Sequence, residues 1–127
     1  MKKNNQPFSI LKRAKSFTFA FNGLKILIQE EHNSWIHIAI VICATVAGFL
    51  LHISFIEWVA VVLCIGLVIA LELVNSAIEN MADFVSPQKN EIIKKVKDLS
   101  AAAVLIAAIC SAIVGLIVFL PKIIALC

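Results

Sequence analysis

An all-α membrane protein, with an N-terminal amphipathic interfacial helix followed by three transmembrane helices, is the fold class this sequence predicts. Three observations predict it. Hydrophobic residues make up 61% of the 127 positions and the mean hydropathy is +1.00, too apolar for a soluble domain of this length. Charged residues, 15% of the chain, are clustered instead of interspersed. Between the clusters lie three apolar runs long enough to cross a bilayer.

The first element, residues 7–31, is patterned for an interface. Ile10, Ala14, Phe17, Phe21, Leu24 and Ile28 recur at spacings of three and four and fall on one narrow stripe at 100° per residue. Lys12, Lys15 and Asn22 fall away from it, so this helix lies in the membrane surface or packs its stripe on a partner helix. The first span follows over about 34–52. The second starts at the "SFIE" capping box, with Ser54 as N-cap and Glu57 reaching back. About 20 residues cross the bilayer, which brings Glu72 to the far interface. No Gly or Pro interrupts 72–85, so the helix extends beyond the membrane to "VSPQKN". The third element covers about 90–120, and its uncharged run 99–120 gives roughly 33 Å of helix. The connections, "LHIS" and "SPQKN", are short, and residues 1–127 read as one domain.

Charge sets the expected orientation. Of the eleven basic residues, Lys2, Lys3, Lys12, Arg13, Lys15 and Lys25 precede span one, and Lys89, Lys94, Lys95 and Lys97 lie between spans two and three. Only Lys122 falls on the other side, which predicts a cytoplasmic N-terminus and an outer C-terminus. "MKKNNQPFSILKRAKSF" has no apolar core of a cleaved signal peptide. Cys43, Cys64, Cys110 and Cys127 show no metal-like spacing and read as reduced. His32, His37 and His52 read as isolated, His37 as an interfacial side chain.

The stretch "ELVNSAIENMADF" at 72–84 ends the second span with acids. On a helical wheel with Glu72 at zero, Glu79 falls at about −20°, Asp83 at about +20°, Ser76 at about +40° and Asn75 at about −60°. The acids form one ridge, opposite Leu73, Val74, Ala77, Ile78, Met81, Phe84 and Val85. Carboxylates so aligned repel unless cations sit among them. The plain reading is a solvated face pairing with the lysines of the next helix. The chemical reading adds Glu30 and Glu31 before span one and "KKVKD" before span three, all at one membrane boundary. Carboxylate oxygens suit Mg²⁺ and a lysine suits a phosphate, the parts needed for phosphoryl transfer. Four scattered glycines exclude a Walker-type phosphate loop. A transporter would place its acid mid-bilayer, and spans one and three carry no formal charge inside; a structural membrane subunit is the other competing class.

These residues carry a resemblance. "ELVNSAIENMADF" followed by "KDLSAAAVLIAA", with the acid of "QEEHNSWIH" before span one, closely resembles the two-part signature of the bacterial diacylglycerol kinase family, which includes the undecaprenol kinases. "SWIHIAI" and "ISFIEWVAVVLCIGLVIALE" look more like the undecaprenol kinase branch. The resemblance implies an ATP-dependent lipid kinase of the bacterial inner membrane, a homotrimer with active sites shared between subunits. By the same resemblance it would phosphorylate a lipid alcohol, undecaprenol being favoured and diacylglycerol the alternative. By position, Glu72 would be the catalytic base and Asn75 would orient groups beside it. Glu31 and Glu79 would hold Mg²⁺ with the ATP phosphates, Glu31 being chosen over Glu30. Lys97 and Asp98 would bind ATP, and Lys12, Phe19, Gln88, Lys89 and Asn90 match further nucleotide-contact positions. Lys12 is also placed at the lipid substrate. Ala101, in a small-residue patch with Ala102 and Ala103, either lets helices approach or touches substrate. Lys12 stands where the family commonly has Arg, Asn90 where a His is usual, and Phe19 where some members have Tyr.

Overall fold

The computed structural model describes residues 7–127, so Lys2 and Lys3 of the charge argument lie outside the described residues. Four helices account for nearly all of it: α1 (Ile10–Glu30), α2 (Asn33–Leu50), α3 (Phe55–Val85) and α4 (Glu91–Leu126). The last three are long and apolar enough to cross a membrane. Each cap is readable locally. The Ser9 hydroxyl accepts from the Lys12 N–H at 3.4 Å to open α1. At α3 the full capping box forms, with the Glu57 N–H on Ser54 Oγ at 3.2 Å and the Ser54 N–H on Glu57 Oε1 at 2.9 Å. Asn90 opens α4 by accepting from the Ile92 and Ile93 N–H groups at 2.9 and 3.3 Å.

Helix α4 continues through Pro121 to Leu126, past position 120. Proline removes one backbone donor, and near the end of a helix this long the ladder survives the loss. Between α2 and α3, His52 takes a left-handed backbone with φ of 52°. Leu51 and Ile53 there donate to the carbonyls of Ala47 and Gly48 at 2.8 and 3.2 Å, closing the turn.

α3 and α4 pair along their length, while α1 packs by its C-terminal part on α3 and α2. The contact side of α1 is not its apolar stripe. Leu27 is buried, yet it stands about 100° round the wheel from the stripe centre, and Phe17 and Phe21 stay exposed. At the α2–α3 turn the core consists of Ile53, Val61 and Val118, backed by Trp58, Ile65, Val114 and Phe119. Phe49 lies on Trp58 with ring centroids 4.9 Å apart. Gly48 is required for this approach, because a Cβ there would stand 2.6 Å from Trp58 Cη2. Outward from this core the helices expose Phe49, Ile56, Leu63 and Ile117, a surface suited to lipid or to other copies of the chain.

Candidate active site

The other end of the bundle, where α3 meets the linker to α4, is polar inside. Glu72, Ser76, Ser34 and Ser100 are the buried polar residues of the described chain, and Glu72 is only 9% exposed. A carboxylate this deep needs a partner. It has one in His37 of α2, whose Nε2 lies 2.7 Å from Glu72 Oε1. This corrects the reading of His37 as an isolated interfacial side chain. Two antiparallel helices joined by a tight turn bring together residues equally far from that turn, and His37 and Glu72 satisfy this to within about one helical turn.

Further along the ridge several polar groups have partners on another helix. Asn75 Oδ1 accepts from the Ser100 hydroxyl at 2.6 Å, tying α3 to α4. Ser100 Oγ also lies 3.0 Å from the Lys97 carbonyl. Asn80 donates through Nδ2 to Glu30 Oε2 at 3.2 Å and to the Ser76 carbonyl at 2.9 Å, which ties α1 to α3. Lys97 pairs with Asp83, and Asp98 pairs with Lys94 one turn away at 2.6 Å. Lys97 precedes the uncharged run of α4, and its hydrogen bond with Asp83 holds its ammonium above the usual lysine range, with Glu79 adding to the effect. The lysine pairing that the plain reading expects is therefore present at the exposed end of the ridge. A solvated face does not account for its buried end, the Glu72–His37 pair.

The remaining sequence-predicted positions are placed as follows. Glu31 caps the end of α1, its N–H on the Leu27 carbonyl at 3.0 Å and its own carbonyl accepting from Ser34 Oγ at 2.6 Å; its charge acts on Glu72. Glu79 is half-buried. Lys12 and Phe19 lie on the exposed part of α1, far along the helix from its contact with α3. Gln88 and Lys89 sit in the linker, the Gln88 carbonyl accepting from Ser86 Oγ at 2.9 Å. Asn90 spends its side-chain oxygen on the α4 cap, leaving its amide nitrogen for other contacts. Ala101 is exposed one turn beyond Lys97. Among the described residues no three His, Cys, Asp or Glu side chains form a closed metal cluster. Glu31 and Glu79 carry hard carboxylate oxygens, the donor chemistry that suits a hard divalent cation.

An apolar cavity of about 670 Å³ runs from this end between α2, α3 and α4. His37 and Ile36 lie at its top, Val68 and Ala108 along it, and Phe119 at its far end. A hydrocarbon chain would meet almost no polar surface there, and its polar head would lie beside the Glu72–His37 pair.

Comparison with known proteins places this arrangement. The sequence profile described as prokaryotic diacylglycerol kinase matches residues 18–119. The chain is 39% identical over 108 residues to an undecaprenol kinase of Bacillus subtilis (strain 168), covering 85% of this chain and 88% of that one. It is 36% identical over 112 residues to a diacylglycerol kinase of Synechocystis sp., covering 87% of this chain and 64% of the relative. A diacylglycerol kinase of Helicobacter pylori (strain ATCC 700392 / 26695) is 34% identical over 96 residues, with 75% and 74% covered.

Proposed function

The chain belongs to the prokaryotic diacylglycerol kinase family, a family of lipid kinases, and from that premise we propose that it phosphorylates undecaprenol with ATP at the cytoplasmic interface. The observation that carries the site is the buried Glu72, at the membrane boundary of α3 and beside an apolar cavity. A lipid alcohol leaves the bilayer only at about 0.8 kcal/mol per CH₂, so its hydroxyl must be met at the surface. Glu72 takes the hydroxyl proton. The oxygen then forms its bond to the γ-phosphorus, and the bond to the β-phosphate oxygen breaks to release ADP. Asn75, held by Ser100, orients groups beside the base. Lys97, with its charge stabilised by Asp83, faces the phosphates. Glu31 and Glu79 are the ligands we assign to Mg²⁺, which when bound neutralises charge on the phosphates.

Glu79 lies two turns beyond Glu72, roughly 10 Å further along α3, so the nucleotide approaches from the linker side. Lys12, Phe19, Gln88, Lys89 and Asn90 belong to that nucleotide edge in this reading, and Lys12 and Ala101 to the lipid side. Lys12 and Phe19 stand away from Glu72 within one chain. Their assignment therefore requires a homotrimer in which α1 of one copy reaches the site of the next. The apolar surface left uncovered on α2–α4 supports such an assembly. The basic residues at the linker end support a cytoplasmic N-terminus and an outer C-terminus. The stripe of α1, exposed from Ile10 to Leu24, supports its lying in the membrane surface.

Diacylglycerol, the substrate class in the names of the Synechocystis and Helicobacter relatives, is the second reading. Purified protein given radiolabelled ATP with undecaprenol and diacylglycerol side by side separates the two. Label in the polyprenol alone is the expected result; label in diacylglycerol alone selects the second reading, and label in neither overturns both.

A further inference from the structure

The Glu72–His37 contact reaches beyond the assignment of Glu72 as base, and it rests on that assignment. We propose that His37 is the positioning residue for the base, donating its Nε2–H to Glu72 Oε1 so that Oε2 is presented to the lipid hydroxyl.

The geometry argues this in three steps. First, the 2.7 Å contact is the only side-chain hydrogen bond that Glu72 makes among the described residues. One oxygen of the carboxylate is therefore fixed and the other is unengaged. Second, both side chains are largely withdrawn from solvent, at 23% and 11% exposure, so water does not compete strongly for the bond. Third, His37 lines the top of the apolar cavity with Ile36, Ile40 and Ile69. The carboxylate is thus hydrogen-bonded to a residue of the wall along which a membrane alcohol would arrive. A side chain serving only to hold the fold could satisfy Glu72 from any direction. This one engages one carboxylate oxygen and leaves the other without a side-chain partner among the described residues. The proton balance is simple: the lipid O–H proton passes to Glu72 Oε2, His37 retains its Nε2–H throughout, and Glu72 returns the proton to water after the phospholipid leaves.

A group that aims a base acts on the chemical step. The test compares His37→Leu, His37→Gln and His37→Asn with wild type in detergent micelles, measuring kcat and KM for lipid and ATP. Thermal midpoint and oligomer size serve as folding controls. Leucine is expected to lower kcat by about 10- to 100-fold, the scale of a misaimed catalytic group, with either KM changed less than about threefold. Glutamine, whose amide N–H2 reaches the imidazole Nε2 position, is expected to recover kcat to within about fivefold of wild type. Asparagine, one carbon shorter, should resemble leucine. If a variant fails the folding controls, the Gln–Asn pair alone carries the comparison. Wild-type kcat in His37→Leu, equal kcat in the Gln and Asn variants, or a rise in lipid KM with kcat unchanged would each overturn the proposal. Those results would leave the kinase reading and the base assignment intact, because the first fails only if wild type labels neither lipid and the second only if Glu72→Gln retains full turnover.

Discussion

The two ends of the bundle are built from the same three long helices and do opposite things. At the turn end, α2 and α3 meet through Gly48 against Trp58, with Ile53, Val61 and Val118 filling the centre. At the linker end, polar contacts join the helices beside buried Leu27 and Ala82: His37 with Glu72, Ser100 with Asn75, Asn80 with Glu30, Lys97 with Asp83. Apolar packing tolerates lipid and holds the hairpin without chemistry. Polar contacts at a membrane boundary cost desolvation, and they are retained where a hydroxyl and a phosphate have to meet. Activity should therefore respond to changes at the linker end and stability to changes at the turn end.

After Glu72 itself, the largest effect on that division is expected at Glu79. Glu79→Ala should lower kcat by at least about 100-fold, the scale of losing a preorganised charge-stabilising group, and shift the Mg²⁺ dependence to higher concentration while the thermal midpoint stays near wild type. Retained kcat with unchanged Mg²⁺ dependence would remove Glu79 from the site. Ser100→Ala comes next. Loss of its hydrogen bond to Asn75, about 1 kcal/mol, corresponds to a roughly five-fold fall in kcat. Turnover assays on detergent-solubilised protein read both.

At the turn end the sign reverses. Gly48→Leu drives a side chain into Trp58 and should destabilise the hairpin by about 1–3 kcal/mol, read as a lower thermal midpoint, with kcat of the surviving folded fraction unchanged. The smallest effect is expected at Lys122, whose Nζ lies 3.4 Å from Glu57 Oε1 beside the capping box. Lys122→Met should leave the thermal midpoint almost unchanged, because solvent screens a partly exposed pair. A large loss of kcat in either variant would erase the separation of the two ends.

How much of this was legible in the sequence follows the range of each interaction. The capping box of α3, the short connections and the acid ridge depend on residues three or four apart, so 100° arithmetic and cap chemistry suffice to read them. Which member of the ridge is buried does not. Glu72 is withdrawn and Asp83 lies open on the same helix face, because α2 covers Glu72, whereas Asp83, though paired with Lys97, stays exposed. The same limit hid His37. Its role depends on the register of α2 against α3, and a lone His in an apolar run has no local signal of its partner. The clue available was the four-residue connection, which fixes that register to about a turn. Lys97 was grouped with Asp98 as adjacent residues of one motif. Successive residues on a helix point about 100° apart, so Lys97 turns to Asp83 on α3 and Asp98 turns back to Lys94. Ser100, likewise, meets its partner Asn75 across the α3–α4 contact and not within its own helix.

The most direct measurement is single-turnover transfer of γ-phosphate from radiolabelled ATP to undecaprenol by Glu72→Gln, beside wild type at matched oligomer size. Glutamine keeps the shape and still accepts from His37 but cannot take the hydroxyl proton. The predicted result is a fall in the transfer rate of at least about 10²–10⁴, the range of a positioned general base, with ATP and lipid still bound. Transfer at the wild-type rate would contradict the role given to Glu72 and with it the arrangement of the linker end around that residue.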